Sequence, residues 1–251
     1  MSWAPDRDPS ASFRRLEKLL LMLRFFPRFP RQAGAWPKYE YLKPWIAALD
    51  PAAVIDVGAN AGQFCYLARR LWPDARIVAI EPSQRLCRRL RAGCGGDSRV
   101  RIECCAASDR DGEATLFVTR DDQNSSLLPP SAEFAAERPG DGLAGEETVA
   151  TRRLDGLLDG VRGPLFLKVD VQGAELAVLR GAGDRLDDAI ALIVEAPFER
   201  AYDGASDFAA IYEFLTGRGF VYEGSLTQLA SRRTGRVRQE DAVFTRASSR
   251  G

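Results

Sequence analysis

Lys168, Asp170 and Glu195 are the side chains of this sequence best suited to moving a proton. The chain contains no histidine. The commonest general base and the commonest zinc ligand are therefore both missing. A proton acceptor must be Asp, Glu, Lys, Tyr or Cys. Lys168 and Asp170 stand two apart in the run Leu165-Phe-Leu-Lys-Val-Asp170, which reads as a central parallel strand. Alternation puts them on one face, where the ammonium can keep the carboxylate charged. Such a carboxylate can take the proton of an alcohol, which is a poor nucleophile until it loses it. The pair reads equally as a structural ion pair at a sheet edge. Glu195 ends the next apolar strand, Ala191–Glu195. Glu175 begins the intervening helix, where a negative charge suits the dipole whether or not it touches a substrate. A divalent cation shared by Asp170 and Glu195 is an open alternative. Carboxylates alone do not establish one, and no metal ligand is assigned.

A second cluster has the form of a site for an adenosine-containing cofactor. Val54-Ile-Asp-Val-Gly-Ala-Asn-Ala-Gly62 reads as a buried strand, a glycine turn and a helix start, and it holds Asp56, Gly58, Asn60 and Gly62. Glycine lets the backbone approach a ligand closely. Glu81 follows the strand Arg76–Ile80, where a carboxylate can accept both hydroxyls of a ribose. Gly58 and Glu81 are 23 positions apart, close to the roughly 20 of a βαβ unit. Dinucleotide turns place a glycine against the pyrophosphate; Asn60 stands there instead. The spacing therefore favours an adenosyl cofactor without a pyrophosphate, of which S-adenosylmethionine is the common one. It disfavours NAD. An ordinary strand–helix turn that binds nothing is the alternative.

Composition narrows the partners. The 35 basic and 35 acidic residues give no overall pull toward nucleic acid. The five cysteines, Cys65, Cys87, Cys94, Cys104 and Cys105, are odd in number and form no C-x-x-C pair. They read as reduced, buried thiols rather than a disulfide framework or zinc site. The apolar run Leu19–Phe26 is broken by Arg24 and is far short of the ~20 residues that span a bilayer. No signal peptide is evident, so a cytoplasmic protein is expected.

The elements alternate. Ser12 to Phe26 reads as a basic amphipathic helix, with Phe13, Leu16, Leu20 and Leu23 at helical spacing. It suits packing on its own domain, with peripheral membrane or partner contact as the alternative. Residues 36–49 read as a second helical segment. Strands follow at Val54–Val57, Arg76–Ile80, Val100–Cys104, Leu165–Asp170, Ala191–Glu195, Phe220–Glu223 and Ala242–Arg246, most of them separated by helices. Thr115–Val118 and Thr148–Arg152 read as short extra strands. The polar stretch 119–147, too long for a plain connection, reads as a lid or binding loop, or else as disordered. The order implies an α/β fold: a mostly parallel seven-stranded sheet with helices on both faces, closed by an antiparallel C-terminal hairpin. Residues 1–50 read as a helical extension and 51–247 as the main domain.

Three segments coincide: Asp56-Val-Gly-Ala-Asn-Ala-Gly62, Leu167-Lys-Val-Asp-Val-Gln-Gly-Ala-Glu-Leu176, and Glu195 at a strand end. With Glu81-Pro82 and Ala107-Ser-Asp109 they resemble the FkbM family of S-adenosylmethionine-dependent methyltransferases from about residue 40 onward. Asn124-Ser-Ser-Leu127 looks like the Ser-Ser-Leu element of that family's long loop. Gln172 stands where many members carry Glu and reads as a tolerated variant. The resemblance implies a Rossmann-like methyltransferase fold and methyl transfer to oxygen on a sugar, glycolipid or secondary metabolite. It implies cofactor contacts at Asp56, Gly58, Asn60, Gly62, Glu81, Ser108, Asp109 and Asp170. Asp170 is the expected base, nearest the methyl, with Lys168 and Glu195 beside it. The partner implied is a small-molecule or glycan acceptor, not nucleic acid; a homo-oligomer is left open. One rival is N-methylation, but Asp170-Val-Gln-Gly173 lacks the Pro-Pro-aromatic turn that many amino-methylating enzymes use for a planar base. A non-catalytic cofactor-binding or interaction module is another, opposed by the intact Gly58, Gly62, Glu81 and Asp170 set.

Overall fold

Two short apolar runs form the centre of the sheet. In the computed structural model, β1 (Ala53–Val57) and β7 (Leu165–Val169) are buried at all five positions each. They pair in parallel with Asp56 beside Lys168. The structure describes residues 44–94, 96–132, 140, 142–199, 201–231 and 234–247. The helix expected over 12–26 lies outside the described residues, as does most of the segment 36–49; of the latter, α1 (Pro44–Ala47) is helical.

The remaining elements are α2 (Gln63–Leu71), β2 (Arg76–Ile80), α3 (Gln84–Cys94), β3 (Val100–Glu103), β4 (Ala106–Ser108), β5 (Gly112–Thr119), β6 (Leu143–Arg153), α4 (Leu154–Leu157), α5 (Glu175–Gly181), β8 (Ala189–Pro197), α6 (Phe208–Gly217), β9 (Phe220–Ala230) and β10 (Val237–Arg246). The main sheet has seven strands in the order β3-β2-β1-β7-β8-β10-β9, with β10 antiparallel to both neighbours. This is the expected architecture. The order reverses between β1 and β7, so a crevice opens at the carboxyl ends of these two strands.

The two faces have different partners. On one, Ile55, Val57, Leu165, Leu167 and Val169 pack with Leu154, Val178, Leu179, Ile211 and Leu215 from α4, α5 and α6. On the other, Phe166 lies against Phe64 and Trp72 at the two ends of α2, with ring centroids 6.2 and 4.7 Å away. Asp56 and Lys168 belong to this second face. They are charged groups on rungs otherwise filled by apolar side chains.

Three expectations are corrected. The stretch 119–147 is partly regular: β6 begins at Leu143 and joins β4 and β5 in a separate three-stranded sheet. Its first residues, Leu143 to Glu147, are exposed or half-buried, so no apolar alternation marked them. The final hairpin is also longer than expected, because β9 buries only Phe220 and Leu226 well. The third concerns thiols: Cys87 and Cys104 form a disulfide, while Cys65, Cys94 and Cys105 are unbridged and buried. Cys87 faces inward from α3, and Cys104 directly follows β3, the strand beside β2. A separation of 17 in sequence becomes 6.0 Å between Cα atoms, within bridging range.

Gly181 shows how tightly the second sheet docks. A Cβ there would lie 1.8 Å from the Ser108 carbonyl oxygen. Gly181→Ala should therefore push β4 away from α5 and cost about 1–3 kcal/mol of stability, the usual penalty for overpacking. Urea unfolding of the variant tests this; an unchanged midpoint would mean the contact yields freely.

Candidate active site

The turn after β1 is built from left-handed residues. Gly58, Asn60 and Gly62 have φ of 78°, 50° and 94°. Glycine adopts this region freely, and asparagine is among the few other residues that tolerate it. Gly58 answers to a further constraint: a Cβ would lie 1.9 Å from the Asp170 carbonyl oxygen. The neighbouring strand end demands this glycine, independently of any ligand. Asn60 braces the turn through its side chain. Its Oδ1 accepts from Ala61 N at 2.7 Å, and its Nδ2 donates to the Asp122 carbonyl at 3.2 Å.

Glu81 reaches the turn from β2. One carboxylate oxygen accepts from Asn60 N at 2.8 Å and the other from Ser83 N at 2.9 Å. Burial pushes its carboxyl up to about 7, against the opposing pull of those two N–H groups. A carboxylate has about four lone-pair sites, so two remain for donors from a ligand. Ribose hydroxyls fit that donor set.

Asp56 lies beneath the turn with no exposed surface. It accepts from the Cys65 thiol at 3.1 Å, and its other oxygen is 3.6 Å from Lys168 Nζ. Burial raises its pKa, with the lysine opposing. Asp56 therefore supports the turn from below rather than presenting a surface to a cofactor. Lys168 Nζ also lies 3.2 Å from the Gly58 carbonyl oxygen and 3.4 Å from Asp170. One ammonium thus ties β1, its turn and the end of β7 together.

Beyond β7 the chain turns sharply, with Gln172 at φ 59° and Gly173 at φ 105°. Glu175, fully buried at the start of α5, accepts from Val171 N and Gly173 N at 3.0 Å and so closes this turn from inside. Burial pushes its carboxyl, too, up to about 7. Asp170 and Glu195 meet through Gln172, whose Nε2 lies 2.7 Å from one and 2.6 Å from the other. Gln239 Nε2 bonds the second Glu195 oxygen at 2.5 Å. The loop Asn124–Leu127 docks here, with Ser126 Oγ donating to the Gln172 carbonyl at 2.6 Å.

The structure thus gathers Asp56, Gly58, Asn60, Glu81, Lys168, Asp170 and Glu195 at one sheet edge, with Gly62 at the head of α2. It does not bring Ser108 and Asp109 there. The Ser108 carbonyl abuts Gly181, the last residue of α5, and the Asp109 carbonyl accepts from Arg153 at 3.0 Å. The crevice lies at the other end of α5, where Glu175 sits. After β3 the chain leaves the main sheet for the second one, which carries these residues away from the edge.

The sequence from Asp56 to Tyr222 matches the methyltransferase FkbM domain. The chain belongs to this family. Among curated relatives, the 2-O-methyltransferase NoeI of Sinorhizobium fredii is 28% identical over 176 residues, spanning 66% of this chain and 71% of that one. Methyltransferase 1 of Beauveria bassiana is 28% identical over 192 residues, spanning 68% and 73%. A solved S-adenosylmethionine dependent methyltransferase from Mesorhizobium loti is 11% identical with a TM-score of 0.43, spanning 83% of this chain and 98% of that chain.

This FkbM protein is a methyltransferase, and sequence reasoning missed part of its site. Gln239 comes from a strand with no motif, and Tyr202, whose hydroxyl lies 3.1 Å from Gln172 Oε1, from an irregular segment. Gln172 was readable as a residue but not as a link.

Glu81 and Glu175 both bind their proton more tightly folded than unfolded. Their contribution to stability is complete below their ordinary pKa of 4.5 and is lost as pH rises through about 7. The apoprotein should lose roughly 1–3 kcal/mol per group between about pH 5 and pH 8. Glu175→Gln, which cannot ionise, should flatten that decline. Urea unfolding across the range decides it, and stability that climbs with pH would contradict the assignment.

Proposed function

We propose that this methyltransferase uses S-adenosylmethionine to methylate a hydroxyl of a sugar, glycolipid or secondary metabolite. The observation that carries the reading is the convergence of Glu81, the Gly58 turn, Lys168, Asp170 and Glu195 at the crevice where strand order reverses. The relative named as a 2-O-methyltransferase supports oxygen as the acceptor atom. The balanced charge of the chain supports a small-molecule or glycan acceptor over nucleic acid. Among the described residues no helix is long and apolar enough to cross a membrane; a cytoplasmic location is proposed.

In this reading Glu81 holds the ribose hydroxyls, and the turn from Gly58 to Gly62 lies against the adenosyl group. The cofactor, when bound, supplies an activated methyl on a sulfonium. Asp170, partly exposed and 3.4 Å from Lys168, orients the acceptor hydroxyl and takes its proton as oxygen attacks. Lys168 keeps that carboxylate aimed. Most of the acceleration comes from holding the two reactants in line.

The cofactor is tested by isothermal titration. S-adenosylmethionine and S-adenosylhomocysteine should bind and NAD should not; the reverse would end the reading. Glu81→Ala should weaken binding by about 1.5–3 kcal/mol, the loss of a charge-assisted hydrogen bond. Binding should also tighten as pH rises through about 7, where Glu81 ionises, because the ribose hydroxyls donate to the charged form.

The chemistry is tested on whichever hydroxylated acceptor a screen with labelled cofactor yields. At saturating cofactor, Asp170→Asn should lower turnover by about 10²–10⁴ while cofactor affinity changes little. Near-normal turnover would assign the proton to another group.

A further inference from the structure

The short turn between β7 and α5 places an uncharged side chain between two acidic ones. Asp170 directly follows β7 and Glu195 lies near the end of β8, the adjacent parallel strand. Two carboxylates at such a spot repel, and the repulsion grows as water is excluded. The group between them is the Gln172 amide, with Nε2 2.7 Å from Asp170 Oδ1 and 2.6 Å from Glu195 Oε2. Chemistry fixes which way the amide points. A carboxylate accepts only, so the nitrogen must face both, and Oε1 must face away. There Oε1 lies 3.1 Å from the Tyr202 hydroxyl, which is also 2.9 Å from the Asn124 carbonyl.

The backbone at this point is over-determined. Gln172 holds φ 59°, an unfavourable region for a residue with a long side chain. Three contacts keep it there. Glu175 bonds the N–H groups of Val171 and Gly173 on either side. Ser126 donates to the Gln172 carbonyl. The Tyr202 hydroxyl lies 3.1 Å from Gln172 Oε1, and Tyr202 pairs with Pro130 in an isolated bridge. Charged groups near the pair come from three strands or strand ends: Lys168 beside Asp170, Asp56 beyond Lys168, and Asp241 opposite Glu195 in the β8–β10 register. Gln239 bonds the far oxygen of Glu195.

We propose that Gln172 is a positioning residue whose side-chain amide donates one hydrogen to Asp170 and the other to Glu195, cross-linking them from the position a shared cation would otherwise need. The cross-link fixes how Asp170 faces the acceptor, and Ser126 and Tyr202 bring the overlying loops into the same lock. The consequence for catalysis rests on the proposed role of Asp170; the cross-link itself does not.

Two measurements test it, and neither uses cofactor or acceptor, so a failure here is distinct from a failure of the methyl-transfer reading. The first keeps Gln172 intact. In ¹⁵N-labelled protein both Gln172 side-chain amide protons should resonate downfield and exchange slowly. Asp170→Asn should move one of them upfield, and Glu195→Gln the other. Two protons at the free-amide position, in fast exchange, would overturn the proposal. The second replaces the donor. Gln172→Glu keeps the length of the side chain but sets a third carboxylate beside the two; among the described residues no three metal-ligating side chains of this kind converge now. Manganese titration followed by water-proton relaxation should show at least tenfold tighter binding to Q172E than to the native protein. Q172E combined with Glu195→Gln should lose that gain. Equal manganese binding by native protein and Q172E would overturn the assignment.

Discussion

Everything at the active edge depends on one buried ammonium. Lys168 lies in a central strand, and its side chain is 7% exposed. An isolated charge there would be prohibitively costly. It is tolerated because the β1–β7 register sets Asp56 on the same rung and the same face. The arrangement is a rigid strut. Its carboxylate neighbours lie on two strands, and its third contact is the carbonyl of Gly58. Removing one member would leave the other as an unpaired buried charge, which is more damaging than removing both. The geometry of the turn and the position of Asp170 are therefore coupled through a single nitrogen.

The second constraint is backbone shape. Five residues with positive φ stand at this edge: Gly58, Asn60 and Gly62 after β1, and Gln172 and Gly173 after β7. Each gives up conformational freedom or accepts strain, and packing from neighbouring segments holds them. Gly58 packs on the Asp170 carbonyl. Gly173 has Tyr202 and Leu128 within contact distance of where a Cβ would be. The two turns touch where Gly58 packs on the Asp170 carbonyl, which fixes one strand end against the other. Groups whose backbone is held in this way keep their positions through a reaction.

Much of this was legible in sequence, for identifiable reasons. β1 and β7 are buried on both faces, so they read as continuous apolar runs with Asp56 and Lys168 standing out. The turn glycines and Glu81 are local features at a fixed spacing, which a βαβ unit imposes. What escaped was non-local or exposed. β5 and β6 run past the short strands read at Thr115–Val118 and Thr148–Arg152, because their outer parts pair through backbone with few buried side chains and so carry little periodicity. The Cys87–Cys104 bridge depends on which strands are neighbours, and spacing does not reveal that. Ser108 and Asp109 follow a strand, as site residues do, yet the chain crosses to the second sheet and places them at the far end of α5. Gln239 is in place only because β10 inserts beside β8.

Charge ties the two halves of the site together. Asp56 beneath the turn and Glu81, Asp170 and Glu195 along the edge outnumber the one ammonium named among them, that of Lys168. Burial answers part of this by raising the proton affinity of Asp56 and Glu81. The Gln172 amide answers another part with donors that carry no charge. Neutral donors thus hold Asp170 and Glu195 side by side, which fixes their directions without cancelling the charge that Asp170 needs in the proposed reaction.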